Sequence, residues 1–422
     1  LPAQVCRLLP YNARVTQPAT PQLKRSLSLL VLSFYGIGTI VGAGIYVLVG
    51  EVAGLAGMAA PWAFLVASVL VLFSAFSYAE LSARFPQSAG EAVYVQEGMG
   101  WSPLAISVGL LIVAAAVVST ATLMHGFVGY LQLFLPWSDE LIIPLLVVSL
   151  GVIVAWGISQ SALIASVLTV VELFGLLLVL WVTRDSFGDL PARAGELIPT
   201  LDVTVAGGVL AGAFVAFYAF IGFQDIVNVA EEVREPRLNL PRAILIAWAV
   251  TTVLYLAVGA ACVLTLPPAQ LAQSDAPLAL IYQHQTGRTP VVLTAITLVS
   301  VLNGALIQII MASRVLYGMS RRGWLPEVLG RVNPRTRTPL LATLLVSSGI
   351  LVMALWLPLL SLAKLTSLIT LTVFALVNLA LWRVKLRSPV VSSFSVPLWV
   401  PVVGSAVNMV FVAYQLLNWQ QG

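Results

Sequence analysis

Few side chains in this sequence could do chemistry, and most of those lie in apolar surroundings. Glu172 follows Ser166 and Thr169 at three-residue spacing, so the three share one face of a helix. A carboxyl at such depth is rare and costly. It can carry a proton, or it can serve as a structural hydrogen-bonding group. His125 follows Ser119 and Thr122 in the same way. It could line a pocket or titrate near neutral pH, though a satisfied core histidine is the more ordinary reading. Asn303 and Gln308 give another apolar segment a polar face, which by default is hydrogen-bonding glue between helices and could otherwise contribute to a pocket. Gln224 and Asp225 stand together inside a third segment, and an acid there is a further candidate for proton or ion coupling. Cys6 and Cys262 offer neither a disulfide framework nor metal-ligand spacing. No nucleophile, base and oxyanion set and no nucleotide-binding loop appears, so enzyme chemistry, ATP drive and a resident cofactor are not expected.

The elements that hold these residues follow from composition. The 422 residues are 59% hydrophobic and 9% charged, with a mean hydropathy of +0.99. A soluble domain carries about 25% charged residues, so the composition describes an all-α integral membrane protein whose partner is the lipid bilayer. Eleven spans are predicted, at 27–50, 59–80, 102–135, 140–157, 160–183, 203–230, 241–265, 289–319, 338–357, 359–382 and 397–419. With the N-terminus placed in the cytoplasm, all but four of the 21 Lys and Arg fall on that side or in its tail, the exceptions being Arg184, Arg193, Arg288 and Lys364. The net charge of +4 is thus a topology signal and not a nucleic-acid footprint. Residues 1–25 read as a cytoplasmic tail, 26–183 as a first set of five helices, 203–383 as a second set of five, and 397–419 as an added C-terminal span. An odd number of spans per set inverts the second set relative to the first.

Each set opens on a glycine-interrupted span. The first carries Gly36-Ile-Gly-Thr-Ile-Val-Gly-Ala-Gly44 and the second Phe217-Tyr-Ala-Phe-Ile-Gly-Phe-Gln-Asp225. Glycine costs a helix interior about 1 kcal/mol against alanine. Accepting that cost at matching points of two halves points to a binding site built from broken helices, with close helix packing through small residues as the alternative.

Four segments then resemble one family. Gly38-Thr-Ile-Val-Gly-Ala-Gly-Ile45 resembles the first-span signature of the amino acid–polyamine–organocation permeases. Tyr78-Ala-Glu-Leu81 with Pro86, Gly90, Tyr94 and Gly100 resembles their second-third loop, Phe217 to Pro236 their sixth span, and Arg314 to Pro326 the end of their eighth. The resemblance implies a LeuT-type fold, a 5+5 inverted repeat with broken first and sixth helices plus at least one extra C-terminal helix. It also implies a multi-pass protein of the cell membrane that carries amino acids or related amines. The departures are specific. Ala89 and Ala92 replace a Gly and a Tyr of the usual Gly-Gly-x-Tyr, and Gln224 stands where many members carry an acid. Glu172 aligns where some proton-coupled relatives place a Lys, and eleven spans are found where twelve are usual.

On this reading Ile40, Gly42, Ala43 and Gly44 surround the opening of a half-helix whose N–H groups suit a carboxylate. The carbonyls near Phe217, Ala219 and Phe220 would accept from an ammonium, and Phe220 and Phe223, beside Gln224, could close over an apolar side chain or face a cation. Glu172 and Asp225 are the coupling candidates, with H+ or Na+ as the ion. The run Glu231-Glu232-Val-Arg234-Glu235-Pro236 is either a solvated loop or an inner gate paired with Arg321 and Arg322. The expected activity is secondary active transport by alternating access, proton-coupled in one version. An exchanger and a non-transporting nutrient sensor of the same fold are the alternatives, and a channel is disfavoured because no filter motif is seen.

Overall fold

The computed structural model describes residues 23–131 except 43, residues 137–356 except 189, 200, 201 and 275, and residues 359–388 and 393–417. The expected tail over 1–25 therefore lies almost wholly outside the described residues, as does Ala43. Among the described residues the secondary structure is helical. In chain order the helices are α1 (Leu29–Val41), α2 (Gly44–Ala56), α3 (Ala60–Arg84), α4 (Gly90–Met99), α5 (Ser102–Leu131), α6 (Asp139–Trp156) and α7 (Ile158–Val182). They continue with α8 (Leu190–Leu197), α9 (Val203–Ala219), α10 (Asp225–Asn228), α11 (Pro236–Thr265), α12 (Pro268–Ala272), α13 (Pro277–Thr286), α14 (Val291–Arg321), α15 (Leu340–Trp356), α16 (Leu359–Arg387) and α17 (Trp399–Leu417). Among the described residues, seven helical stretches are long and apolar enough to cross a membrane, and four shorter apolar helices accompany them.

Each of the eleven predicted spans coincides with helix, and two of them are broken. The first is the pair α1 and α2, and the sixth is the pair α9 and α10. The short helices α4, α8, α12 and α13 lie between spans, where the hydropathy pattern predicts only loops. α11 starts at Pro236 and runs through Pro241. Pro236 occupies the first helical position, where the missing N–H is no loss.

α1 packs against both α7 and α11, α2 against α9, α3 against α11, and α5 against α14. The second span of each set thus meets its counterpart, and so does the third, as two inverted sets around one axis require. The outward faces of α6 and α7 keep large apolar residues such as Leu145, Val152, Leu163 and Phe174 exposed, which is where lipid would sit.

The end of the bundle that carries the basic loops is tied together through α10 and the residues after it. Leu27 forms a parallel bridge with Val233, supported by Ser26 and Leu27 N–H groups donating to the Glu232 carbonyl at 2.9 and 3.0 Å. The carboxylate of Glu232 pairs with Arg314 at 3.2 Å, and both side chains are fully buried. Glu231 accepts from the Ser88 N–H and the Tyr317 hydroxyl, each at 3.2 Å. Glu231 and Glu232 are therefore held inside the fold while Arg234 and Glu235 stay exposed, and the partner of Glu232 is Arg314 in place of the expected Arg321 or Arg322. Arg322 reaches Glu97 and Gln87 on the loop side instead. A second buried knot surrounds Glu80 of α3, which accepts from Arg84, from Lys385 of α16 and from the Val396 N–H before α17. With five donors converging on one carboxylate, the cost of burying its charge is largely offset.

Candidate functional site

The two broken helices cross each other at their breaks. The Tyr255 hydroxyl of α11 lies 2.8 Å from the Ile40 carbonyl and 3.1 Å from the Ala219 carbonyl, joining the last turns of α1 and α9. Gly222, at φ +140°, brings the second break against the first. A Cβ there would lie 2.7 Å from the carbonyl carbon and oxygen of Thr39. No L-side chain fits that conformation or that space.

A cavity of about 270 Å³ opens at this crossing. Of the predicted residues, Ile40, Gly42, Gly44, Ala219, Gln224 and Asp225 line it. Thr39, Ser119, Thr122, Tyr218, Gln308 and Thr370 add polar atoms, and Leu48, Ile112, Ala116, Leu123, Ile221 and Met311 make the apolar wall. Gly44 begins α2, so the unpaired N–H groups of that helix's first turn border the cavity. The Gly42 N–H does not share this role, because it is bonded to the Gly38 carbonyl at 3.0 Å as the cap of α1. On the other break, the Phe217 and Tyr218 carbonyls accept from the Phe220 and Ile221 N–H groups, and the Ala219 carbonyl is taken by Tyr255. The expected row of free carbonyls is thus mostly used inside the fold. What remains free is a side chain: Gln224 donates to Oδ1 of Asp225 at 3.2 Å, while Oδ2 of Asp225 has no donor.

The phenylalanines are placed differently from expectation. Phe217, Phe220 and Phe223 are buried outside the cavity lining. Phe223 packs against Tyr78 and Phe374 with centroids 5.4 and 5.3 Å apart, and Phe220 lies 4.9 Å from Tyr255. A broken helix one turn from a cavity needs a dry core behind it, and these rings supply that core. His125 is half-buried on α5 and is not among the lining residues.

Glu172 and Asn303 also lie off the cavity, behind α1. Asn303 Nδ2 donates to Glu172 Oε1 and to the Thr169 hydroxyl, both at 3.0 Å. The Tyr46 hydroxyl of α2 donates to the Glu172 backbone carbonyl at 2.6 Å. Gly38 presses onto this group, since a Cβ there would lie 2.6 Å from Asn303 Nδ2. Glu172 Oε2, Asn303 Oδ1 and the Ser300 hydroxyl have no partner. The spacing of Ser166, Thr169 and Glu172 does form one polar face, and Ser166 and Thr169 turn their hydroxyls to carbonyls of α1. Tyr255 and Glu91 are the residues that sequence reasoning passed over. Tyr255 is a polar residue isolated in the apolar seventh span, and Glu91 is a carboxyl set directly after a loop glycine.

Comparison with known proteins agrees with this architecture. The family Amino acid permease matches residues 27–421. The branched-chain amino acid permease BcaP of Bacillus subtilis (strain 168) is 28% identical over 94% of this chain and 88% of its own length. The methylthioribose transporter of the same organism is 29% identical over 94% and 89%. The vacuolar cationic amino acid transporter 2 of Arabidopsis thaliana is 31% identical over 87% of this chain, which spans 61% of that longer protein. A structure of a Na+-coupled sialic acid symporter in a substrate-bound, outward-open state superposes with a TM-score of 0.63 at 13% identity, covering 93% of this chain and 90% of that one. Its likeness shows the LeuT-type fold. The chain belongs to the amino acid permease family and is a multi-pass membrane transporter.

Proposed function

We infer that the protein is a secondary active transporter that moves an amino acid or related amine across the cell membrane by alternating access, with its basic end in the cytoplasm. The observation that carries this reading is that opposite polarities face one cavity. The first turn of α2 offers N–H groups at Gly44, and Asp225 offers a carboxyl oxygen with no donor of its own. A substrate carboxylate suits the first and an ammonium the second. The apolar wall of Leu48, Ile112, Ala116 and Met311 suits an aliphatic side chain. The similarity to a branched-chain amino acid permease is consistent with that choice. The distribution of Lys and Arg supports the orientation.

For the driving force, Glu172 is the group best placed to bind a proton. One of its oxygens is held by Asn303, the other has no donor opposite it, and Asn303 abuts the α1 glycine that precedes the break. A proton gained or lost there alters the contact of α7 and α14 with α1. The experiment is uptake of labelled leucine into proteoliposomes under an imposed pH gradient, with sodium-gradient and preloaded-vesicle arms. Concentrative uptake in the pH arm, abolished in Glu172→Gln while exchange persists, is the expected result. Full gradient-driven accumulation in that variant would overturn the role of Glu172. Flux only in the preloaded arm would make the protein an exchanger.

A further inference from the structure

Glu91 lies outside the cavity, in the first turn of α4, and is 1% exposed. Asn228, the last residue of α10, holds this turn. Its Nδ2 donates to Glu91 Oε2 at 2.8 Å and its Oδ1 accepts from the Gly90 N–H at 2.9 Å. The second oxygen of Glu91, Oε1, meets no donor. One helical turn before Asn228 stands Asp225, whose Oδ2 also lacks a donor. Two fully buried hydroxyls, those of Tyr78 and Tyr94, are likewise without partners. The rings of Tyr78 and Tyr94 meet edge to face with centroids 6.2 Å apart, and the Tyr94 hydroxyl lies against Gly90, 3.2 Å from where a Cβ would stand. The seam between α4 and α10 therefore gathers two carboxyls and two hydroxyls with unused hydrogen-bonding capacity.

No cation among the described residues neutralises this group. On α14, Arg314 is committed to Glu232 and Tyr317 to Glu231. On α16, Arg383, Lys385 and Arg387 engage Met99, Glu80 and the Gly98 carbonyl. α3 adds Glu80, already satisfied by Arg84 and Lys385, and α1 adds Tyr35, which meets the Ile307 carbonyl. Arg237 and Arg242 of α11 point to the exterior, and α5 has no ionisable residue before His125. Ionised together, Glu91 in the dry seam and Asp225 at the edge of the cavity repel each other, and Glu91 loses hydration with nothing in return. Burial pushes the Glu91 carboxyl up to about 7, against the opposing pull of its own N–H and of Asn228.

We propose that Glu91 and Asp225 form a proton-binding site in the α4–α10 seam that must be filled for this end of the transporter to stay closed. The proposal rests on the alternating-access reading but not on Glu172. In the closed seam the proton is on a carboxyl oxygen of the pair. On opening, that O–H bond breaks, the proton passes to water on the side of the basic loops, and a carboxylate remains; closing takes one proton back. A carboxyl that titrates at about 7 when closed and near its ordinary 4.5 when hydrated makes closure harder as pH rises from 4.5 to about 7, with no further change above.

The test uses the full chain in detergent with Cys6→Ser and Cys262→Ser and a single reporter, Ser88→Cys, placed where the seam buries residue 88 to 1% exposure. Maleimide labelling is measured from pH 5 to pH 8 and normalised at each pH to the same protein unfolded in dodecyl sulfate. Normalised labelling should rise by up to about fortyfold between pH 5 and pH 7 and then level off. Glu91→Gln, which still accepts from Asn228, should stay at the low-pH level throughout. Glu172→Gln should keep the rise, which separates this site from the one inferred for driving uptake. Asp225→Asn, which leaves Glu91 and its hydrogen bond from Asn228 intact, should keep the rise. A flat profile in the parent, a rise retained in Glu91→Gln or lost in Glu172→Gln or Asp225→Asn, or closure by sodium at constant pH would each overturn the proposal.

Discussion

The hydroxyl of Tyr255 stands 2.8 Å from the carbonyl of Ile40, and the same hydroxyl is 3.1 Å from Ala219. One side chain on an unbroken helix thus bridges both breaks, its single O–H hydrogen shared between the two carbonyls. Broken helices leave carbonyls that lipid cannot satisfy, and a buried unsatisfied group costs about 1–3 kcal/mol. Tyr255→Phe removes the donor and leaves the ring packing with Phe64 and Phe220 intact. The variant should lose about 1–3 kcal/mol of stability, read as a lower Tm in detergent, and its uptake should fall with it. An unchanged Tm would show that water replaces the hydroxyl.

Gly222→Ala should be far more damaging than Gly287→Ala. Both glycines have positive φ, at +140° and +64°, but a Cβ at Gly287 meets nothing within 4 Å, whereas at Gly222 it meets the Thr39 backbone. Gly287→Ala should cost only the backbone penalty, about 1–2 kcal/mol. Gly222→Ala should abolish a monodisperse elution profile or, if folded, all substrate flux. Equal behaviour of the two variants would contradict the close crossing of the two breaks.

The buried pair Glu232–Arg314 should respond asymmetrically. Breaking it by Arg314→Met strands a buried carboxylate and should cost about 3–5 kcal/mol. Burial raises the Glu232 carboxyl above its ordinary range while Arg314 draws it down, so without the arginine the variant should be least stable above neutral pH and recover as Glu232 takes up a proton in acid. The double variant Arg314→Met with Glu232→Leu should regain much of the lost Tm. A double variant as unstable as the single one would assign the cost to packing and not to charge.

Ala116 is 2% exposed and lines the cavity opposite the breaks. Ala116→Leu should raise the KM for leucine more than for alanine, because the larger wall meets the larger side chain. A differential of about 1–3 kcal/mol, or roughly tenfold and upward in kcat/KM, is the scale of a pocket change of this size. Parallel losses for both substrates would place the side chain elsewhere in the cavity.

The sequence by itself determined the spans, their helical nature and the positions of both breaks. These follow from local facts, namely the length of the apolar runs, the clustering of glycine and the bias of Lys and Arg between loops. The polar face of Ser166, Thr169 and Glu172 was legible for the same reason, since helical periodicity alone puts them together. What only the tertiary structure decided is which polar atoms are already spent. The Gly42 N–H is consumed as a cap, the Ala219 carbonyl is taken by Tyr255, and the rings of Phe217, Phe220 and Phe223 turn into the core. None of this has a local signature, because the partners are distant in the chain: Tyr255 comes to Ile40 across 215 positions. Glu232 found Arg314 and not the neighbouring Arg321 or Arg322, because helical phase points only the first of these into the bundle. Glu91 is singled out only once α4 folds it against α10, where burial and the hydrogen bond from Asn228 give it a chemistry that no spacing in the sequence announces.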